Sequence, residues 1–237
     1  MLESRPVVAF FDADETLTAM KGLFELLRHH VAQEGPDGAV RQASYDQLVE
    51  PLRKFAASGG SAVDVNVKYF EILARTPLER LTSDGREWFA KLRAEGVPYI
   101  EATLQALRDH QAKGHLTVVV SGSWLPCLQP IVDDLGIDRV LCTEPEVDAD
   151  GRLTGGVVHA MFGPAKAEAA RAVIAECGAR PEDCYAYADD IGDLGLLSTV
   201  GHPVVVGENA ALLAAVDGKG WARLPGTPVA GTVRRQA

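Results

Sequence analysis

Short, continuous apolar runs separated by long helical stretches most limit the folds open to this chain of 237 residues. The runs are rich in β-branched and aromatic residues and are bounded by polar turns, and they lie at residues 7–11, 116–120, 140–142, 184–188 and 204–206. Strands that are apolar along their whole length are typical of parallel sheets covered by helices on both faces. The sequence therefore predicts an α/β fold with a doubly wound, Rossmann-like parallel sheet.

The first two runs are separated by about a hundred residues with almost no strand signal. Helical periodicity extends over residues 23–30, 39–55, 63–75 and 77–94, with breaks at Gly35-Pro36, Gly59-Gly60 and Gly96-Val97-Pro98. An ordinary crossover between parallel strands needs far fewer residues. We therefore expect a helical subdomain at 22–99, inserted into a core domain formed by 1–21 and 100–237. A core helix should follow at 100–111.

A smaller β element is predicted near the middle of the chain. Residues 147–159 read V-D-A-D-G-R-L-T-G-G-V-V-H, with Asp150-Gly151 at a turn. This pattern predicts an antiparallel hairpin, which we expect to extend the sheet.

The overall charge argues against two classes of partner. The chain has 33 acidic and 23 basic residues, a formal net charge of −10. Such a surface repels phosphate backbones and anionic lipid, so nucleic acid and membrane partners are not expected. We interpret Arg234-Arg235 as part of a frayed tail. The four cysteines lack the spacing of a zinc site or a disulfide framework, and a cytoplasmic protein with free thiols is predicted.

A carboxylate cluster, Asp12-Ala13-Asp14-Glu15-Thr16, directly follows the first apolar run. In an extended chain residues two apart lie on the same side, so Asp12 and Asp14 can act on one substrate. One carboxylate can attack while the other transfers protons. Taken alone the pattern is common in loops, and a solvated turn explains it equally well.

Later segments supply groups suited to phosphate and metal. Ser121 and Gly122 end the second run, where glycine allows the backbone to approach an anion. Lys166 lies near the start of an alanine-rich helix, where a cation and exposed amides can meet a phosphate. Asp189 and Asp193 follow the run at 184–188, and carboxylates are natural ligands of magnesium. Ligands of open α/β sheets lie beyond the carboxyl ends of the strands, so these groups should converge.

The order D-x-D-x-T, strand-Ser, Lys and D-x-x-x-D resembles the four motifs of the haloacid dehalogenase superfamily. The spacings from Asp12 to Ser121, Lys166 and Asp189 are successively 109, 45 and 23 positions. The large first gap resembles the branch that contains phosphoserine phosphatases, in which a helical cap lies between the first two motifs. The resemblance covers nearly the whole chain, and four motifs in order are specific together.

The resemblance implies a magnesium-dependent phosphatase that hydrolyses a small phosphorylated metabolite. Asp12 would be the nucleophile that forms an aspartyl-phosphate. Asp14 would be the general acid and base. The implied phosphate-binding residues are Thr16, which would also fix the turn, Ser121, Gly122 and Lys166. The implied magnesium ligands are Asp12, the backbone carbonyl of Asp14 and Asp189, with Asp193 behind them.

The sequence departs from the pattern of the branch at two positions. Asp190 follows Ala188-Asp189, where relatives usually show Gly-Asp-Ser or Gly-Asp-Gly. It could join the metal shell, although a solvent-facing carboxylate is the favoured interpretation. Lys21 stands nine positions after Asp12, where phosphoserine phosphatases carry a glutamate that recognises the substrate amine. Lysine reverses that charge and argues against phosphoserine.

Three further positions have two interpretations each. Lys21 is either a residue at the active-site mouth that selects a second anionic group, or an ordinary solvated lysine. Trp124 follows the Ser121 loop and either contacts the substrate or packs. His29 and His30 are interpreted as surface or helix-end residues rather than metal ligands.

Other functions of the same fold remain open in part. Dehalogenases and phosphonate-cleaving relatives lack the second aspartate, so Asp14 argues against both. Phosphoryl transfer to an acceptor other than water depends on whether the closed cap admits water. A binding protein that has lost catalysis is a further alternative, since fold does not fix function.

Overall fold

The computed structural model describes residues 5–33 and 38–227, with side chains described outside residues 38–42. The strands in this part of the chain are β1 (Val8–Phe11), β2 (Leu116–Ser121), β3 (Arg139–Cys142), β4 (Glu144–Val147), β5 (Leu153–His159), β6 (Tyr185–Ala188), β7 (His202–Val206) and β8 (Ala222–Leu224). Six of them form one sheet in the order β3-β2-β1-β6-β7-β8, and all neighbours are parallel. The predicted α/β fold with a parallel sheet is confirmed.

The helices of the described residues are α1 (Gly22–Ala32), α2 (Gly38–Ala57), α3 (Ala62–Ile72), α4 (Leu78–Glu95), α5 (Glu101–Ala112), α6 (Leu125–Leu135), α7 (Pro164–Glu176), α8 (Leu194–Leu197) and α9 (Ala210–Ala215). Short 3-10 turns cover Pro181–Asp183 and Ile191–Asp193. The predicted helices between the first two strands are all present. Their ends differ from the prediction by a few residues.

Helices cover both faces of the sheet because successive residues of each strand point to opposite sides. In β1, Val8 and Phe10 pack with buried residues of α7, α8 and α9. Ala9 and Phe11 pack on the other face with buried residues of α5 and α6. Every residue of β1 is buried as a result. The strand that precedes the carboxylate cluster is thus the centre of the core.

The four helices α1–α4, here called the inserted helices, share a hydrophobic core with α6. Leu26, Phe70, Trp88 and Trp124 all belong to this buried cluster. The predicted subdomain boundaries at 22 and 99 remain a prediction. Gly59-Gly60 and Gly96 lie between helices as expected, whereas Gly35-Pro36 and Arg234-Arg235 lie outside the described residues.

The predicted hairpin forms, but its position was wrong. β4 and β5 make a separate antiparallel two-stranded sheet and do not join the six-stranded one. The hairpin instead bonds to the inserted helices. Arg75 N, in the loop between α3 and α4, donates to Leu153 O at the start of β5 at 2.7 Å, and Leu78 N, the first of α4, donates to Gly151 O in the hairpin turn at 2.9 Å. Alternation in the sequence does not reveal this competing partner.

Two smaller differences concern exposure and length. His29 and His30 are buried rather than at the surface, and His30 Nδ1 lies 2.6 Å from Asp84 Oδ2, which joins α1 to α4. β8 was not predicted, because its three residues are exposed or half-buried and lack an apolar pattern.

Among the described residues, no helix has the length and apolar character needed to cross a membrane.

The contact between α4 and α6 leaves no room for a side chain at Gly85. A Cβ atom there would lie 2.0 Å from the Pro126 carbonyl oxygen. We expect Gly85→Ala to lower the free energy of unfolding by about 1–3 kcal/mol, because overpacking separates the two helices. In an exposed helix the same change normally stabilises by up to about 1 kcal/mol. Urea unfolding measures the difference.

Gly195→Ala in α8 is the matched control, because a Cβ atom there meets Ala167 Cβ at an ordinary 3.5 Å. A Gly85→Ala protein as stable as the wild type would show that the two helices are not packed this closely.

Candidate active site

Three adjacent strands bring the sequence motifs together at one edge of the sheet. Asp12 follows β1, Ser121 ends β2 and Asp189 follows β6. Because β2, β1 and β6 are neighbours and parallel, their carboxyl ends lie side by side. The motifs are thus placed where open α/β sheets hold their ligands.

Lys166 joins two of these segments through its ammonium group. Its Nζ atom lies 2.6 Å from Asp12 Oδ1 and 2.7 Å from Asp193 Oδ1, and all three side chains are buried. Gly163 has a positive φ of 49° and turns the chain into α7, which places Lys166 in the first turn of that helix. Burial lowers the pKa of Lys166, but Asp12 and Asp193 together raise the pKa by more than burial lowers it. The net shift is therefore upward. Lys166 is expected to carry its positive charge at neutral pH.

Asp12, Asp189 and Asp193 form a cluster of carboxylates. One oxygen from each lies within 4.8 Å of the others. Burial raises the pKa of Asp12, against the opposing effect of Lys166, and it raises the pKa of Asp189 to about 7. Crowded, buried carboxylates are stabilised by a hard cation that accepts oxygen ligands. The donor set fits Mg²⁺.

Thr16 links the turn after β1 to the segment after β6. Its hydroxyl donates to Asp189 Oδ1 at 2.9 Å, and its role in phosphate binding stays a prediction. Glu15 adopts a left-handed conformation with φ of 60°, which turns the chain back after Asp14. The Thr16 carbonyl accepts a bond of 2.6 Å from Thr103 Oγ1, which fixes the turn to α5.

Asp14 is held separately from the carboxylate cluster. The Gly22 amide, the first of α1, donates to Asp14 Oδ1 at 3.0 Å. Burial raises the pKa of Asp14 to about 6, and the Gly22 hydrogen bond opposes the rise. A carboxyl group with a pKa near neutrality can both donate and accept a proton. The role of Gly22 was missed in the sequence, because a backbone donor has no residue signature.

The loop that follows β2 is fixed by hydrogen bonds on both sides. Ser123 N donates to Ser121 Oγ at 3.1 Å, which leaves the Ser121 hydroxyl proton free to donate elsewhere. The Gly122 carbonyl accepts from Thr143 Oγ1 at 2.8 Å and from Asn66 Nδ2 at 3.1 Å. Neither donor was predicted.

The remaining candidates lie outside this centre. Asp190 is exposed, where it caps a short turn through Gly192 N and accepts from Asn209 Nδ2. The side chain of Lys21 is 60% exposed and lies 3.3 Å from Glu15, in an ion pair at the rim. Trp124 is 0% exposed and packs edge-on against Phe70, so it offers no surface to a substrate in this structure.

A family model for haloacid dehalogenase-like hydrolases matches residues 9–198. The chain belongs to this family. A probable phosphatase of Mycobacterium tuberculosis is 30% identical over 217 residues, which cover 90% of this chain and 73% of that protein. The inhibition of morphological differentiation protein of Streptomyces azureus is 38% identical over 125 residues. That match covers 53% of this chain and less than half, 45%, of the relative.

The fold also resembles that of a solved phosphoserine phosphatase with bound substrate. The TM-score is 0.67, with 20% identity over 94% of each chain. This likeness concerns the fold alone. The predicted superfamily is confirmed, and so is the prediction of a phosphoric monoester hydrolase at the level of that class.

The hydrogen bond from Thr16 to Asp189 gives a prediction about metal affinity. Thr16→Val keeps the size of the side chain but removes the donor that orients the carboxylate. We expect the magnesium concentration for half-maximal activity to rise about 10- to 100-fold. Activity measured across a magnesium titration is the test.

Thr117→Val is the matched control, since Thr117 is also buried and also donates to an aspartate, Asp138, at the opposite end of β2. If both variants shifted the titration equally, Thr16 would have no specific link to the metal site.

Proposed function

We propose that this protein is a magnesium-dependent phosphatase that hydrolyses a small phosphomonoester through an aspartyl-phosphate on Asp12. The observation that carries the proposal is the buried contact of Asp12 with Lys166 beside two further carboxylates. A structural ion pair needs one partner for the lysine, and extra carboxylates in the same buried space are unfavourable. Catalysis on a phosphoryl dianion explains both the cation and the crowded acids.

Asp12, Asp189 and the Asp14 carbonyl would hold the magnesium ion. Asp193 would lie outside this group of ligands, in its ion pair with Lys166. Bound there, magnesium supplies positive charge that screens the nucleophile from the phosphoryl oxygens. The Ser121 hydroxyl and Lys166 ammonium donate to the same oxygens, and both are already in place before substrate binds. The Gly122 backbone completes this phosphate-binding group.

The reaction takes place in two displacements. A carboxylate oxygen of Asp12 forms a bond to phosphorus as the bond to the leaving oxygen breaks, and Asp14 gives that oxygen its proton. Water then attacks phosphorus and Asp14 takes up one of its protons, while the bond to Asp12 breaks and releases orthophosphate. The pKa of about 6 for Asp14 suits both steps. Its hydrogen bond to Gly22 keeps it apart from the nucleophile.

The inserted helices serve as the cap of this site, within the proposed subdomain 22–99. They supply Gly22 and Asn66 to the site and share a core with α6, which begins next to the phosphate-binding loop. A cap packed in this way excludes bulk water from the acyl-phosphate. We further propose that the substrate is a small phosphorylated metabolite that enters past the rim formed by Glu15 and Lys21.

The nucleophile and the acid can be tested separately. Asp12→Asn should abolish hydrolysis of every phosphomonoester, because an amide is a poor nucleophile. Asp14→Asn should reduce alkyl phosphate hydrolysis by about 10²- to 10⁴-fold and aryl phosphate hydrolysis much less, since phenolates leave without protonation. Steady-state rates with p-nitrophenyl phosphate and an alkyl phosphate, with and without magnesium, measure both effects.

Asp190→Asn is the control, because this neighbouring carboxylate lies outside the cluster. Turnover by Asp12→Asn would exclude the covalent mechanism. Equal losses for both substrate types in Asp14→Asn would remove Asp14 from the role of acid.

Lys21 gives a prediction about substrate choice. Its ammonium group pairs with Glu15 at 3.3 Å, and although burial lowers its pKa, the carboxylates of Glu15, Asp14 and Asp189 give a net upward shift. An ammonium there attracts a second anionic or hydroxyl group of the substrate. In a screen of phosphorylated metabolites, Lys21→Ala should raise KM for the best substrate about 10-fold. It should leave p-nitrophenyl phosphate nearly unchanged, and equal kinetics for both substrates would assign Lys21 to the solvated surface.

A further inference from the structure

Asn66 is a buried polar residue on a helix that otherwise packs through aromatic groups. It lies in α3, where it is 3% exposed, and the neighbouring buried residues of this helix are Tyr69 and Phe70. Its Nδ2 atom donates to the Gly122 carbonyl. Its Oδ1 atom is buried and has no hydrogen-bond partner among the residues that the structure describes. An orphaned buried acceptor normally costs about 1–3 kcal/mol.

The stability of α3 does not require an asparagine at this position. A leucine of similar size would fill the same space without leaving a polar atom unpaired. What leucine could not provide is the donor to Gly122. The physical reason for Asn66 therefore lies in the loop that it touches.

The Gly122 peptide group transmits this contact to Ser121. The carbonyl of Gly122 and the amide of Ser123 belong to one planar peptide unit. Asn66 and Thr143 hold its oxygen, and its N–H donates to Ser121 Oγ at 3.1 Å. Rotation of this peptide unit would lose all these bonds and turn a carbonyl dipole toward the phosphate. The Phe162 ring restricts the loop further, since a Cβ on Gly122 would lie 2.2 Å from it.

We propose that Asn66 is a positioning residue through which the cap fixes the conformation of the phosphate-binding loop. It orients the Gly122–Ser123 peptide, and this peptide orients the Ser121 hydroxyl toward the phosphoryl group. Thr143, which directly follows β3, donates to the same carbonyl, whereas Asn66 donates to it from the inserted helices. The loop reaches its full phosphate affinity only when α3 is docked on it. This inference rests on the proposed phosphatase function and adds a link between cap docking and phosphate binding.

The link acts in both directions, because coupling between two binding events is reciprocal. If docking of α3 strengthens phosphate binding, phosphate must strengthen docking of α3 by the same factor. Orthophosphate is the product of the proposed reaction, and orthovanadate resembles it in shape and charge. Either ion reports on the loop without turnover.

Asn66→Leu tests the proposal, with Tyr69→Phe as the matched control. Tyr69 lies on the same helix, is equally buried and donates to the Leu23 carbonyl rather than to the loop. In the presence of magnesium, Asn66→Leu should weaken inhibition by orthophosphate about 10-fold and lower kcat/KM for p-nitrophenyl phosphate at least as much. Its melting temperature should equal or exceed that of the wild type, because the orphaned acceptor is gone. Tyr69→Phe should lower the melting temperature and leave the inhibition constant unchanged.

Hydrogen exchange gives a second readout that does not need activity. Orthophosphate should slow amide exchange in α3 of the wild type and of Tyr69→Phe, but not in Asn66→Leu. Asn66→Ala provides a second variant if Asn66→Leu does not fold, with the same expected loss of phosphate affinity.

The outcomes distinguish a failure of this inference from a failure of the proposed function on which it rests. An active wild type with unchanged phosphate inhibition in Asn66→Leu would overturn the role of Asn66 alone. Losses of affinity that follow the melting temperature in both variants would also overturn it, since they indicate a merely structural role. A wild type that neither hydrolyses p-nitrophenyl phosphate nor binds orthophosphate would overturn the proposed function, and this inference with it.

Discussion

The buried ammonium of Lys166 is the interaction on which the rest of the site depends. Breaking a buried ion pair leaves an uncompensated charge and costs about 3–5 kcal/mol, so Lys166 must keep its carboxylate partners. Asp12 after β1 and Asp193 after β6 supply them. The start of α7 is thereby fixed against the carboxyl edge of two central strands. The same charge that holds these segments together makes the edge suitable for a phosphoryl group, so fold and proposed chemistry rest on one contact.

The inserted helices are part of this arrangement rather than an addition to it. Their core includes Trp88 and extends to Trp124, at the start of α6, and Gly85 brings α4 into close contact with Pro126. From this position they supply backbone and side-chain donors to the loops after β1 and β2. In the proposed mechanism the acid and the phosphate-binding loop take their final geometry only with these helices packed. Any change in how these helices pack would reach Asp14 and Gly122 through two hydrogen bonds.

Strands and site residues that a local sequence pattern marks could be predicted from the sequence. Features that depend on contacts with other segments could not. Five of the six sheet strands, all but β8, carry the apolar runs seen in the sequence, and Asp12, Ser121 and Asp189 lie at or directly after strand ends, so pattern and position sufficed. The hairpin at β4 and β5 shows the limit, since alternation predicts a strand but not its partner. Asn66 acts on Gly122, which lies 56 positions away in the chain, and asparagine by itself does not indicate such a role. Gly22 lies only eight positions after Asp14, but it acts through its backbone amide, which no residue type reveals. Trp124 had two interpretations because a large aromatic residue after a catalytic loop can pack or bind, and only its burial separates them.

Direct detection of the proposed covalent intermediate on Asp12 is the sharpest test of the proposed mechanism. The enzyme would be mixed with a ³²P-labelled phosphomonoester and magnesium, quenched in acid within the first turnovers, digested and mapped by mass spectrometry. We expect phosphate on the peptide that contains Asp12, in a linkage cleaved by hydroxylamine as an acyl-phosphate is. Label on another residue, or rapid hydrolysis without any labelled peptide at the earliest times, would contradict it.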